Sequence, residues 1–371
     1  MNFLILTEAA DVHAFTVAKV LESWGHTVQR VLMADLPTLS SFTLEMSDTA
    51  TMPVVQTRHQ SGDEILVQPD LVWVRRLSSP WVGDMCDPRD VNFVLGEVRH
   101  FIPNVLYALG DKPVWINPYF GRSRADCKGV QLAQARGVGL TVPPTLISND
   151  PSRIREFIAK NAPNEVVYKG FTPDRWAQDG KLKALFLTAT VTEELLPPDD
   201  ILRLTPGIFQ LRVAKVYEVR ATFFDGCCLA ARLDSQSHRL GAVDWRAIPS
   251  SELKLEAIDL PDVVHRRCVA LMKELNIRFG CFDFIVDKDG DWVFLEINEM
   301  GQFLWVEAID PSIKMLSTFC EFLESAAAGE IFSGANRDVS FQDVCAKFDA
   351  EETLALEHHM HRYHLTPALE Y

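Results

Sequence analysis

Apolar and polar positions follow two successive rhythms along the chain. Through the first 120 residues, short apolar runs alternate with longer stretches of helical period. Phe3–Leu6 predicts a strand, and residues 11–24 predict a helix that Gly25 ends. His26–Leu32 resumes strand character, and residues 69–76 (Pro-Asp-Leu-Val-Trp-Val-Arg-Arg) read as a strand running into two arginines. An amphipathic stretch over 88–109 and a strand over 112–118 follow. Such alternation predicts a mainly parallel sheet, with ligands near the carboxyl ends of its strands. A helix over 124–136 stops at Gly137, and Asn149 or Asp150 before Pro151 marks the next helix start, a capping side chain followed by proline in the first turn. Val166–Lys169 is a short strand, and the polar, glycine-bearing residues 170–183 read as a mobile segment.

From Pro206 the pattern becomes one of antiparallel strands. Val216–Phe224 and Cys228–Asp234 flank Asp225-Gly226, a hairpin turn signal. Phe279–Val286 and Trp292–Ile297 form a second hairpin across residues 287–291, with helices over 260–275 and 311–327. The expected class is α+β: an N-terminal α/β lobe with a mainly parallel sheet (1–119), a small central lobe (120–206), an antiparallel-sheet lobe (207–330) and a polar helical extension (331–371).

The chain has 371 residues, 47% of them hydrophobic and 23% charged, which excludes long disorder. No apolar run approaches the roughly 18 residues of a membrane span, and the amino terminus reads as a first strand instead of a signal peptide. Lys+Arg 36 against Asp+Glu 51 gives a net charge of −15. That surface repels phosphate backbones, so no nucleic-acid partner is expected, and a polyanionic ligand needs local cations or Mg²⁺. Eight cysteines without a CxxC pair read as reduced thiols of a cytoplasmic protein. Gly137-Val138-Gly139 lacks the third glycine of a dinucleotide fingerprint and ends a helix, which argues against NAD.

Candidate chemistry concentrates in the second hairpin. Glu296 and Asn298 are two apart and share a strand face, and Asp283 can reach that face from the partner strand. Three hard oxygen donors suit Mg²⁺. The plainer alternative is a hairpin with exposed polar residues, but Phe282, Phe284, Ile285, Phe294, Leu295 and Ile297 are too apolar for a solvated edge. Carboxylates among them need a compensating cation. Lys128 and Lys169 are surface cations unless the metal hairpin is real, in which case they supply compact charge for a triphosphate. Arg220 is an edge-strand arginine paired with a surface acid, or a planar fork holding a carboxylate or acyl phosphate.

Lys128 ahead of a middle lobe, Lys169 ending a strand, Phe209-Gln210 as a hinge, Glu218-Val219-Arg220, Asp283 and Glu296-Ile297-Asn298 together resemble the ATP-grasp fold. More narrowly, residues 71–76, 232–236 with 241–246, 279–283 and 295–307 resemble the microviridin-type peptide macrocyclases, the graspetide synthetases. The resemblance extends to about residue 327. It implies ATP between the sheets of the central and C-terminal lobes. Adenine would lie against Gln210-Leu211, Lys215 would be a further ATP contact, and Lys128 and Lys169 would meet the phosphates. Mg²⁺ would sit at Asp283, Glu296 and Asn298. Arg220 would stabilise the acyl phosphate of a substrate Asp or Glu side chain, and a Ser, Thr or Lys of the same peptide would close an ω-ester or ω-amide. Asp234, Ser235, Asp244 and Arg246 would contact substrate, and residues 170–183 would act as a lid. The implied partner is a ribosomal precursor peptide with leader and core, and the implied assembly a homodimer.

Leu211 stands where the family commonly has Glu, Glu299 where it commonly has Pro, adding charge near the metal, and Cys127-Lys128-Gly129 is less polar than usual. His358, His359, His361 and His364 lie in the extension; its plainer reading is a polar tail, although His358 and His361 have a ligand spacing on a helix. Two other functions compete: a ligase for a free amino acid, small acid or protein terminus, and a nucleotide-binding scaffold without turnover.

Overall fold

Five of the six residues of β1 (Asn2–Thr7) are buried, as a strand covered on both faces requires. β1 pairs in parallel with β2 (Thr27–Leu32) and β6 (Leu71–Val74), and β6 with β7 (Val114–Ile116), giving the order β2-β1-β6-β7. Leu4, Leu6, Val72 and Val74 meet Val98, Val105 and Leu106 of α2 (Val91–Ala108) on one face. The antiparallel sheet β3 (Ser40–Glu45), β4 (Val54–His59) and β5 (Glu64–Leu66) adds Val55 to that cluster. α1 (Val12–Ser23) starts at Asp11, whose carboxylate accepts the N–H groups of His13 and Ala14. The structure is a computed structural model and describes residues 1–8, 11–46, 48, 54–59, 64–66, 68–77, 80, 82, 86–171, 175–178, 181–185 and 187–347.

These elements form one unit, Met1–Tyr119 joined by the described residues from Lys314 to Lys347. α9 (Met315–Ala328) belongs to it. Ten positions of α9 are buried, and its Phe319 ring lies 4.7 Å from Trp73 of β6 between centroids. A helix apolar on several sides needs such cover. Of the expected extension, α10 (Phe341–Cys345) is described, with Ser340 accepting the Asp343 N–H; the four clustered histidines lie outside the described residues. Among the described residues no helix is long and apolar enough to cross a membrane.

The second unit, Phe120–Ile313, holds two antiparallel sheets. The smaller has the order β12 (Ala189–Val191), β9 (Val166–Lys169), β13 (Gly207–Leu211), β8 (Thr145–Ser148). Ile154 of α5 (Pro151–Asn161) and Leu202 of α6 (Asp199–Leu204) pack on its Val166 and Phe209. Asp150 caps α5 and Pro151 opens it. Within the expected lid, β10 (Arg175–Gln178) and β11 (Lys181–Leu185) pair as an antiparallel hairpin; residues 172–174, 179 and 180 lie outside the described ones.

The larger sheet has the order β16 (Leu255–Ala257), β15 (Cys227–Leu233), β14 (Lys215–Phe224), β17 (Phe279–Asp287), β18 (Trp292–Asn298). Val219, Ala221, Phe223, Phe282, Phe284, Phe294 and Ile297 pack against Cys268, Leu271 and Leu275 of α7 (Asp262–Leu275). Alternation then leaves Glu218, Arg220, Cys281, Asp283, Glu296 and Asn298 on the other face. α8 (Leu304–Ile309) follows this sheet.

The helix expected over 124–136 is two helices, α3 (Tyr119–Asp126) and α4 (Lys128–Gly137), separated by Cys127 in extended backbone. Lys128 therefore opens a helix of its own. α3 approaches the end of α7 so closely that a Cβ on Gly121 would lie 1.9 Å from the Asn276 carbonyl oxygen. Backbone cannot give way as a side chain does, so Gly121→Ala is expected to cost about 1–3 kcal/mol. Thermal unfolding followed by circular dichroism checks this, with Gly137→Ala, where a Cβ meets nothing within 4 Å, as the neutral control.

Candidate active site

Sheet register sets Arg220, Asp283 and Glu296 side by side on β14, β17 and β18, so all three project from one face. Arg220 Nη1 donates to both oxygens of Asp283 at 2.9 and 2.8 Å, and Nη2 to the Gln302 carbonyl at 2.9 Å. Asn298 Nδ2 donates to Asp283 Oδ2 at 3.2 Å. From the start of α4, Lys128 Nζ reaches Glu296 Oε2 at 2.7 Å. The sequence-predicted metal donors, one lysine and the arginine thus converge.

Their electrostatics diverge. Burial pushes the Asp283 carboxyl up; Arg220 pulls it down and Glu296 pushes it up again, leaving it raised. Burial pushes Glu296 up too, but Lys128 and then Lys169 outweigh it and hold the group low. Burial works against the charged Lys128, yet Glu296 keeps its pKa above the ordinary value. At Lys169 burial prevails and lowers the pKa despite Glu296, with Arg246 adding repulsion.

Lys169 Nζ donates to Gln210 Oε1 at 2.9 Å, and Gln210 Nε2 donates to Thr145 Oγ1 at 2.9 Å. The Gln210 side chain is thereby committed within its own sheet, and the Leu211 N–H to Pro144 O at 2.9 Å. Lys215 Nζ donates to Glu218 Oε1 at 2.6 Å and Val243 O at 3.0 Å. Buried Ser235 hydrogen-bonds Glu218, and Asp234, just past β15, gives its N–H to Lys254 O at 3.0 Å. Lys215, Glu218 and Ser235 therefore form a group of their own beside Asp244.

Arg246 grips Asp244 through Nε at 2.9 Å and Nη2 at 2.6 Å, and the Thr188 N–H donates to the same carboxylate at 3.1 Å. The Arg246 charge is also felt by Asp283, Glu296 and Lys169. Burial pushes the Asp244 carboxyl up, but Arg246 overcomes this and brings it down to about 2. A depressed folded pKa stabilises above the unfolded value of 3.8 and loses that contribution as pH falls toward 2. In urea titrations across that window the parent is expected to lose more stability than Arg246→Met.

The donor set fits magnesium. Asp283, Glu296 and Asn298 offer hard oxygens, and among the described residues no group of three or more His, Cys, Asp or Glu forms an alternative centre. Two carboxylates and an amide suit a cation that keeps waters and phosphate oxygens in its shell. Arg220 Nε is buried without a hydrogen-bond partner, an unused donor beside the carboxylates. Four cations (Lys128, Lys169, Arg220 and Arg246) surround three carboxylates (Asp244, Asp283 and Glu296), leaving charge for an anion.

Three features escaped sequence reasoning. Glu299, expected to add charge near the metal, is buried against Arg122, Nε to Oε1 3.3 Å; burial raises its carboxyl although Arg122 opposes. The rings of Trp245 and Trp305 stack at 4.8 Å and 26°. Trp305 Nε1 donates at 3.0 Å to the Gln302 carbonyl that Arg220 also uses. The segments carrying both indoles stand out in the sequence, but their pairing does not.

These two sheets and the charged face between their elements define a class: the chain has the ATP-grasp fold. It is similar to a RiPP-associated ATP-grasp ligase of Chryseobacterium gregarium, solved with ADP and a leader and core peptide, at TM-score 0.78 and 23% identity over 91% of this chain and 99% of that one. It is also similar to the macrocyclase MdnC of Microcystis aeruginosa MRC, bound with precursor peptide MdnA, at TM-score 0.76 and 25% identity over 88% and 100%. A third similar structure is the ATP-grasp ligase PsnB with a phosphomimetic variant of its minimal precursor, Mg and ADP, at TM-score 0.66 and 22% identity over 88% and 98%. No protein-family model and no curated protein matches the sequence.

Proposed function

We propose that this chain is an ATP-dependent ligase that activates Asp or Glu side chains of a ribosomal precursor peptide and closes ω-ester or ω-amide crosslinks. The observation that carries it is the Arg220–Asp283–Glu296 row, with Lys128 at one end and Lys169 and Arg246 within electrostatic reach. The similar structures with nucleotide and precursor peptide support the substrate class.

In this reading Lys128 and Lys169 bind the triphosphate, and the β13 segment at Gln210-Leu211 lies against the base. Lys215 acts through Glu218, the side chain it contacts. Mg²⁺, held by Asp283, Glu296 and Asn298, would neutralise triphosphate charge. The substrate carboxylate attacks the γ-phosphorus as the bond to the β-bridging oxygen breaks, giving an acyl phosphate and ADP. A hydroxyl or amine of the same peptide then attacks the acyl carbon, phosphate departs with the bonding electron pair, and the nucleophile's proton is lost. Arg220, whose Nε is unused, stabilises the acyl phosphate, while Asp234, Ser235, Asp244 and Arg246 line the acceptor side. Positioning and fixed charge carry such a reaction. The β10–β11 hairpin is the candidate lid that keeps water from the intermediate. A homodimer and a cytoplasmic location complete the reading.

Co-expression with candidate peptides that carry Asp or Glu and Ser, Thr or Lys residues, drawn from any short reading frame neighbouring the gene, tests it. Loss of one water per crosslink, with ADP released in equal amount, is the expected result. A mass gain equal to an added residue would replace it with ligation of a free amino acid, and no ADP release at all would leave only a scaffold.

A further inference from the structure

Gln131 is 1% exposed and lies on α4 three residues after Lys128, outside every group assigned so far. β18 is the edge strand of its sheet, so alternate backbone groups along it face away from β17 and need another partner. At Ile297 the partner is the Gln131 amide. The Ile297 N–H donates to Oε1 at 3.0 Å, and Nε2 donates to the Ile297 carbonyl at 2.8 Å. Nε2 also donates to the carbonyl of Ala125, next to the turn that leads into α4. Ile297 stands between Glu296 and Asn298. One rigid amide therefore ties together the approach to Lys128, the helix that carries it, and the strand between two oxygen donors.

We propose that Gln131 is a positioning residue that sets the spacing of Lys128 and Glu296, and so the geometry in which the triphosphate is held; this rests on the nucleotide reading above. Two opposed hydrogen bonds from one planar group fix both the distance and the rotation of α4 against β18. Lys128 meets Glu296 at 2.7 Å only while that docking holds. A group whose sole task was to cap the sheet edge would affect stability and leave the lysine where it is.

The test uses Gln131→Met, of similar length but without the amide, and Gln131→Glu, which keeps an acceptor for the Ile297 N–H in case the first variant folds poorly. Acetylation by acetic anhydride, read at each lysine by mass spectrometry without nucleotide, is expected to rise several-fold at Lys128 and at no lysine outside the site. kcat/KM for ATP is expected to fall about 10–100-fold. On a Lys128→Ala background the same substitution should cost little, because the two act through one contact. Unchanged Lys128 labelling in folded variants, or an equal loss on both backgrounds, overturns the proposal. The labelling requires no turnover, so a parent that binds no ATP would sink the functional reading while the labelling still decides the role of Gln131.

Discussion

Glu296→Gln is expected to lower ADP release by about a hundredfold or more, with an unchanged circular dichroism spectrum. The substitution keeps size and one acceptor oxygen but removes the charge that pairs with Lys128. Lys128 then keeps only the weaker pull of Asp126 and Glu299 against burial, which already opposes its ammonium form. In the proposed reading the site loses a charged oxygen donor and the partner that holds Lys128 in place in one step. Because Glu296 is only half-buried, the fold itself has little reason to fail. ADP release and the dependence of the rate on Mg²⁺ concentration are the measurements. Turnover near the parent rate would remove Glu296 from the metal set.

Arg220→Met is expected to abolish turnover and also to destabilise the protein by about 3–5 kcal/mol, the usual cost of leaving one member of a buried pair alone. Arg220 is 5% exposed and supplies both hydrogen bonds that balance Asp283 from the neighbouring strand. Asp283, already raised by burial, would take up a proton. The double variant Arg220→Met/Asp283→Asn removes both charges and should recover most of the stability in urea unfolding while remaining inactive. That split separates the structural role of the pair from the chemical one. If the double variant is as unstable as the single one, Asp283 is not what Arg220 balances.

The strands that carry the candidate site are legible in the sequence because the constraint is local. Strands buried on both faces must be apolar throughout, which exposes Phe3–Leu6 and Leu71–Val74. Turns that need positive φ declare themselves at Asp225 (52°) and Gly290 (82°), fixing both hairpins. Alternation puts Glu296 and Asn298 on one face; Asp283 joins them only because the β17–β18 ladder shifts register between Asp283 and Phe284, an irregularity that tertiary structure supplies. The helix break at Cys127 left no comparable mark, since residues on both sides of it have ordinary helical composition. The allegiance of α9 was equally silent, because an apolar helix does not name its partner.

Sequence thus determined which groups are available and which strand face presents them, through periodicity and turn chemistry that act over a few residues. Tertiary structure decided the pairings: Lys128 with Glu296, Arg220 with Asp283, Arg122 with Glu299, and Gln131 with the backbone of Ile297. Each joins segments far apart in the chain, and a charge or an amide carries no local record of the partner that burial will force upon it.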